Sequence, residues 1–245
     1  MIFTSARLDC AVNLEQRIEW ISEDTLEICL GDPVATETLS IVESISHWID
    51  LEKPAWLIDH CYGFGVLSLV FHPALIDEAS LIDSLTNALS QSLDGWDSCD
   101  SDVIEIPVCY APEFGLDLQS IGEATGLSVE QMIELHCSRD YRVLATGFVP
   151  GFGYLGETDP RIQLPRRDTP RTRIPRGSVA IAENQTVIYP TETPGGWNII
   201  GRMPGSIVSV TRDSIDAKFS MGRLVRFQSI SMDEFQAIEA LDDSD

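Results

Sequence analysis

The chain has 245 residues, of which 39 are acidic and 16 basic, giving a net charge of −23; 44% are hydrophobic and the mean hydropathy is +0.03. That apolar content exceeds what a disordered chain of this charge carries. The acidic balance excludes a general nucleic-acid binder, whose phosphate contacts need clustered cations.

The charge is unevenly spread. Residues 1–104 hold 19 acids and 3 bases, residues 105–230 hold 14 and 13, and residues 231–245 hold 6 acids and no base. Residues 161–176 alone carry six arginines against one aspartate. The start, MIFTSARLDC, has no basic region followed by an apolar run, so no signal peptide is expected. No apolar run approaches the ~20 residues that span a bilayer. Cys10, Cys29, Cys61, Cys99, Cys109 and Cys137 show no C-x-x-C pairing, and read as reduced thiols of a cytoplasmic protein. His47, His60, His72 and His136 show no ligand spacing, so no metal site is expected.

Along the chain, residues 1–23 form an extension with a short helix expected over 14–21. Residues 24–30 (DTLEICL) alternate like a strand. Asp32-Pro33 opens a helix with Ala35, Leu39, Val42, Ile45 and Ile49 on one face. Residues 56–61 and 66–71 are strands joined by the hairpin turn at 62–65. A second helix covers 80–93 with Leu81, Leu85, Ala88 and Leu89 inward; 93–102 is a loop, and 103–110 (VIEIPVCY) a strand. The order β-α-β-β-α-β is the ferredoxin-like arrangement, so residues 24–103 are assigned to an α+β domain.

Two short helices follow at 116–125 and 128–137, the second opened by a Ser128/Gln131 capping box. Strand 141–148 runs into a loop with Pro150, Gly151, Phe152, Gly153 and Tyr154, either a packed turn or a cradle of exposed backbone N–H groups. Residues 164–177 (LPRRDTPRTRIPRG) contain three prolines and cannot be a continuous helix. They present Arg166, Arg167, Arg171, Arg173 and Arg176, which either pair with the protein's own acids or read a carboxylate or phosphate. Short strands at 178–182, 186–189, 198–200, 207–210 and 225–227, separated by Gly/Pro turns, predict a closed or nearly closed β-barrel over 104–230. Residues 231–245 form an acidic helix or tail. Gln185, Tyr189, Trp197 and Arg202 cluster among these strands, and suit a small ligand with a carboxylate and an amide. No G-x-S-x-G elbow or nucleophile triad is present.

The strings IPVCY (106–110), GFVPGFGYL (147–155), PRRDTPRTRIPRGSVAIA (165–182), QTVIYP (185–190) and PGGWNIIGR (194–202) resemble the family of the B subunit of the bacterial ATP-dependent 5-oxoprolinase, also called the KipI or allophanate hydrolase subunit 1 family. The resemblance is dense over about residues 104–212. It implies a ferredoxin-like part followed by a cyclophilin-like β-barrel. It implies partnership with the homologous C subunit and with the A subunit of the enzyme. The implied reaction is hydrolysis of 5-oxo-L-proline to L-glutamate coupled to ATP, with Mg, at a site shared with the partners. By position and residue type, His136, Tyr189 and Arg202 would carry proton transfer, orientation or charge stabilisation. Pro150, Gly151, Phe152, Gly153, Tyr154, Arg166, Arg167, Arg171, Gln185, Gly195, Gly196 and Trp197 would bind substrate. Two alternatives belong to the same resemblance: a module inhibiting a sensor histidine kinase, and a component of a urea carboxylase or allophanate hydrolase system. The family usually carries Gly where Glu183 and Val187 stand, and Thr where Met203 stands. The first two departures touch turn geometry, because Gly alone takes positive φ cheaply. The third removes a hydroxyl from the expected site rim.

Overall fold

The computed structural model describes residues 17–92, 103–210 and 214–242. The chain divides into two compact units, Met1–Cys99 and Asp100–Asp245. Among the described residues no helix is long and apolar enough to cross a membrane.

The first unit holds strands β1 (Ile18–Trp20), β2 (Thr25–Cys29), β3 (Leu57–Gly63) and β4 (Val66–Phe71), with helices α1 (Thr36–Glu52) and α2 (Glu78–Ser92). The strands are antiparallel in the order β1-β2-β4-β3. Alternation buries Leu26, Ile28, Leu67, Leu69 and Phe71, and the helices bury Val42, Ile45, Ile49, Leu81, Leu85 and Ala88. The side chains of Leu39 and Leu89 lie outside the described residues, as does the expected loop at 93–102. Helix α1 starts later than Asp32-Pro33 suggests. The Asp32 carboxylate accepts the Val34 N–H at 3.0 Å and its carbonyl accepts the Ala35 N–H at 3.1 Å, closing a separate turn before the helix.

Two expectations change here. The described part of the helix expected at 14–21 is strand β1, because Ile18, Glu19 and Trp20 pair with Ile28, Glu27 and Leu26. The strand expected to complete the βαββαβ unit, β5 (Ile104–Cys109), pairs instead within the second unit. The place beside β2 that such a last strand would take is filled by β1.

The second unit is a closed seven-stranded barrel. Strands β6 (Asp140–Thr146), β7 (Gly153–Gly156), β9 (Ser178–Ala182), β10 (Gln185–Ile188), β12 (Asn198–Arg202) and β15 (Leu224–Ile230) join β5 in the order β6-β15-β5-β12-β9-β10-β7. The pairing of β6 with β7 closes the ring, as the cyclophilin-like expectation requires. Closure removes the sheet edges that an open sheet of short strands would expose. Two ribbons stand outside it: β8 (Arg171–Ile174) with β11 (Thr193–Gly195), and β13 (Val208–Val210) with β14 (Ile215–Ala217). Helices α3 (Leu118–Thr125), α4 (Val129–Cys137) and α5 (Met232–Asp242) complete the unit. The Ser128/Gln131 capping box opens α4 as expected.

Period-two alternation splits the barrel's side chains into two sets. Val179, Ile181, Ile188, Leu155, Ile200, Tyr141 and Phe227 form the interior core with Leu118, Ile121 and Met132 from α3 and α4. Ala180, Ala182, Val187, Tyr189 and Ile199 face the other way, with Phe152, Ile174 and Trp197.

His136 belongs to the interior. It is fully buried, and its ring lies 4.4 Å from Phe227 and 5.4 Å from Tyr141, centroid to centroid. Its Nδ1 is 2.8 Å from the Tyr110 hydroxyl and its Nε2 is 2.9 Å from the Thr186 hydroxyl. Thr186 donates to the Ala180 carbonyl at 3.2 Å, so its oxygen is left to accept. That assigns the imidazole proton to Nε2, with Nδ1 accepting from Tyr110. Burial pushes the His136 pKa down to about 3. The structure places this expected proton-transfer residue inside the core, with both ring nitrogens occupied and none of the ring reaching solvent. Met203 is likewise an interior residue and not a rim residue, so its missing hydroxyl is a packing matter.

Two outcomes follow from these positions. Below its ordinary pKa of about 6.5, His136 is protonated in the unfolded chain but neutral in the folded one down to about pH 3. Stability is therefore fully kept above pH 6.5 and falls as pH drops through that window. The His136→Gln variant loses up to about 1.4 kcal/mol per pH unit of that acid slope, read from urea midpoints at pH 7 and 5; an unchanged slope contradicts the assignment. Separately, Glu183 sits at φ 53°, a left-handed conformation that costs a side chain about 1 kcal/mol. Glu183→Gly is expected to raise stability by about 0.5–1 kcal/mol in thermal unfolding.

Candidate functional site

The outward face of β7, β9, β10 and β12 collects most of the expected binding residues. Register fixes their rows. Val187 lies opposite both Tyr154 and Ala180, and Ile199 lies opposite Ala180. Gln185 lies opposite Gly156 and Ala182. By alternation Gln185, Val187 and Tyr189 share this face. Ala180 and Ala182 lie buried beneath a cluster of aromatic rings. Phe152 meets Tyr189 edge to face at 5.5 Å and Tyr154 at 5.0 Å, and Tyr154 meets Trp197 at 6.2 Å. Val187, where the family usually has Gly, adds bulk to that cluster and is completely buried.

The Tyr189 hydroxyl is buried and accepts the Trp197 backbone N–H; burial is the main reason its pKa rises to about 12, with that hydrogen bond and Arg166 and Arg171 opposing. Gly195 passes directly over this hydroxyl. A Cβ there would also come within 2.7 Å of Ile174 Cδ1, so only glycine admits the approach. Gly196 offers its carbonyl to the Arg167 N–H at 2.7 Å.

The arginine segment is pinned to this face by one acid. Asp117 precedes α3 and is 3% exposed. Its Oδ1 accepts from Arg167 Nη1 at 2.7 Å and Arg171 Nη2 at 2.8 Å. Its Oδ2 accepts from Arg171 Nη1 at 2.8 Å and from the Ile199 backbone N–H at 2.7 Å. Arg171 is thus bidentate, the strong form of the pair. Arg173 pairs with Glu192 at 2.7 Å. Arg166 lies 5.7 Å from the centroid of the Trp197 ring, and among the described residues it forms no ion pair.

The glycine-aromatic loop is a packed turn. Gly151 has φ 82°, and a Cβ there would sit 2.9 Å from Val208 Cβ; one at Gly153 would sit 2.8 Å from the Phe219 ring. Gly153 lies opposite Thr146 in the β6–β7 ladder, and the Phe152 N–H is given to the Val149 carbonyl. Close packing therefore accounts for both glycines, in place of the expected cradle of N–H donors. Pro150 is exposed at the tip.

Arg202 does not join this group. It ends β12 opposite Ser178 and Cys109, and its guanidinium lies 4.7 Å over the Phe114 ring, which in turn meets Phe235 of α5 at 4.5 Å. Partial burial there lowers its pKa. The structure thus gathers Phe152, Tyr154, Gln185, Tyr189, Gly195, Gly196, Trp197, Arg166, Arg167 and Arg171, and separates His136 and Arg202 from them.

Residues 16–216 match the family described as carboxyltransferase domain, subdomain C and D. The chain belongs to this family. Among curated relatives, the 5-oxoprolinase B subunit of Bacillus subtilis (strain 168) is 42% identical over 135 residues, 55% of this chain and 56% of that protein. The chain thus spans about half the length of the curated relatives it matches. Among solved structures, the conserved uncharacterized protein PH0987 from Pyrococcus horikoshii is 34% identical, with 89% of this chain and 99% of that one covered and a TM-score of 0.53. The K. lactis urea amidolyase gives a TM-score of 0.70 over 92% of this chain and 15% of that one; at 15% identity this is a likeness of fold alone.

Sequence reasoning missed Asp117 and Asn198 in this subdomain C and D chain. The Asn198 amide donates to the Pro165 carbonyl at 3.0 Å, a second tie between β12 and the arginine segment. Asn198 stands inside the PGGWNIIGR string without marking its partner, and only the fold brings Asp117 to arginines 50 and 54 positions away. Removing the acid leaves two partly buried guanidinium groups and a buried N–H without an acceptor. Asp117→Ala is expected to cost about 3 kcal/mol, measured by urea unfolding, with Arg167→Ala adding less than its own separate cost in the double variant. Full additivity would contradict the shared anchor.

Proposed function

We propose that this chain acts as the B subunit of a 5-oxoprolinase, working with the A and C subunits in the ATP-dependent conversion of 5-oxo-L-proline and water to L-glutamate. The 42–46% identity to relatives named as that same 5-oxoprolinase component carries the reading. The outer barrel face supports it with chemistry suited to the ligand. Aromatic rings offer apolar contact to a small ring, the Gln185 amide can meet an amide, and guanidinium groups can meet a carboxylate.

Lactam opening develops negative charge on the amide oxygen, and fixed cations and hydrogen-bond donors lower the cost of that charge. In this reading Arg166, Tyr189 and Trp197 bind and orient. Neither His136 nor Arg202 takes a direct part. In this reading ATP and Mg bind at a site shared with the partner subunits.

The test is reconstitution. With the A and C subunits present, this chain is expected to support release of glutamate from 5-oxoproline, with one ADP formed per glutamate, and omitting it should abolish release. Activity that is complete without this chain, or absent from the full set, contradicts the proposal.

A further inference from the structure

Six arginines lie between 161 and 176, and the structure distinguishes them by what already holds them. Arg161 is committed to Asp159, Arg167 and Arg171 to Asp117, and Arg173 to Glu192, while Arg176 is exposed and forms no ion pair among the described residues. Arg166 is the one that lies on the aromatic face with its charge uncommitted among the described residues, stacked near Trp197. Its exposure does not leave it loosely placed. The residue before it is tied by the Asn198 amide to the Pro165 carbonyl at 3.0 Å, and the residue after it by its N–H to the Gly196 carbonyl at 2.7 Å. Both ties run to the segment carrying Trp197. The backbone of Arg166 is thus held on either side against the turn whose indole its side chain covers.

A guanidinium held over an indole by cation–π attraction still has its N–H donors free for two parallel bonds to a carboxylate. Trp197 is 7% exposed, so it limits the side from which a ligand can approach. Arg171 gives both terminal nitrogens to Asp117, and Arg167 is held there through Nη1, so neither can swing away without breaking the anchor.

We propose that Arg166 is the specificity-determining residue of this face, selecting ligands that carry a carboxylate on a small ring and rejecting their neutral counterparts. This rests on the reading of the outer face as the 5-oxoproline site. It separates an anionic lactam from urea, which offers no carboxylate to the fork.

The experiment compares 5-oxoproline with its carboxamide, identical except for charge, by calorimetric titration of the wild-type complex of this chain with its partner subunits. A charge-assisted bidentate contact predicts about 10- to 100-fold tighter binding of the carboxylate. In Arg166→Gln the preference should fall to about threefold or less by loss of carboxylate affinity alone, with carboxamide affinity unchanged. Arg166→Lys, which keeps charge without the fork, should be intermediate. Asn198→Ala, which releases the tie at Pro165, should reduce the preference with Arg166 still present. A wild-type complex that binds both ligands equally, or an Arg166→Gln complex that keeps the full preference, overturns the assignment of Arg166. A wild-type complex that binds neither overturns the site reading on which it rests.

Discussion

The carboxylate of Asp117 organises the outer face of the barrel. It accepts four hydrogen bonds, three from Arg167 and Arg171 and one from the Ile199 backbone. An isolated carboxylate at 3% exposure would be costly. Two guanidinium groups and a main-chain donor offset that cost, and geometry this complete is what makes a buried pair worthwhile. The same group joins three pieces of chain: the residue before α3, the proline-rich segment around 165–171, and β12. An extended segment with three prolines has few hydrogen bonds of its own, so its placement depends on such ties.

Two faces of one set of strands do different work. Inward residues of β9 and β10 meet His136, Tyr110 and Phe227 in a core where every polar atom of the imidazole has a partner. Outward residues of the same strands are small on β9 and aromatic beyond β10, and pack into a second buried cluster capped by rings. A histidine with its pKa pushed far below neutrality is often a mark of catalysis. Here desolvation alone accounts for the shift, and saturated hydrogen bonding identifies a structural group.

Much of this was legible in the residues. Alternation and Gly/Pro turns marked the barrel strands, and the Ser128/Gln131 box marked the start of α4, because both signals are local. Gln185, Tyr189 and Trp197 were legible as a cluster because short strands with tight turns keep sequence neighbours close. The roles of His136 and Arg202 were not. A histidine near a helix end looks the same whether it points to solvent or into a barrel, and Arg202 lies on the same strand as the site but at its far end, over Phe114. Asp117 was illegible because its partners are 50 or more positions away. The ferredoxin-like order also misread β5, whose pattern fits either unit, while its pairing with β12 and β15 puts it in the barrel.

The central claim is that a small anionic ring binds on the outward face and not at the Arg202 end. A crystal structure of the reconstituted complex with 5-oxoproline bound measures this most directly. The account predicts ligand density against Trp197 and Tyr189, with the carboxylate on Arg166. Density beside Arg202 and Phe114, or on a partner subunit with this face empty, would contradict it.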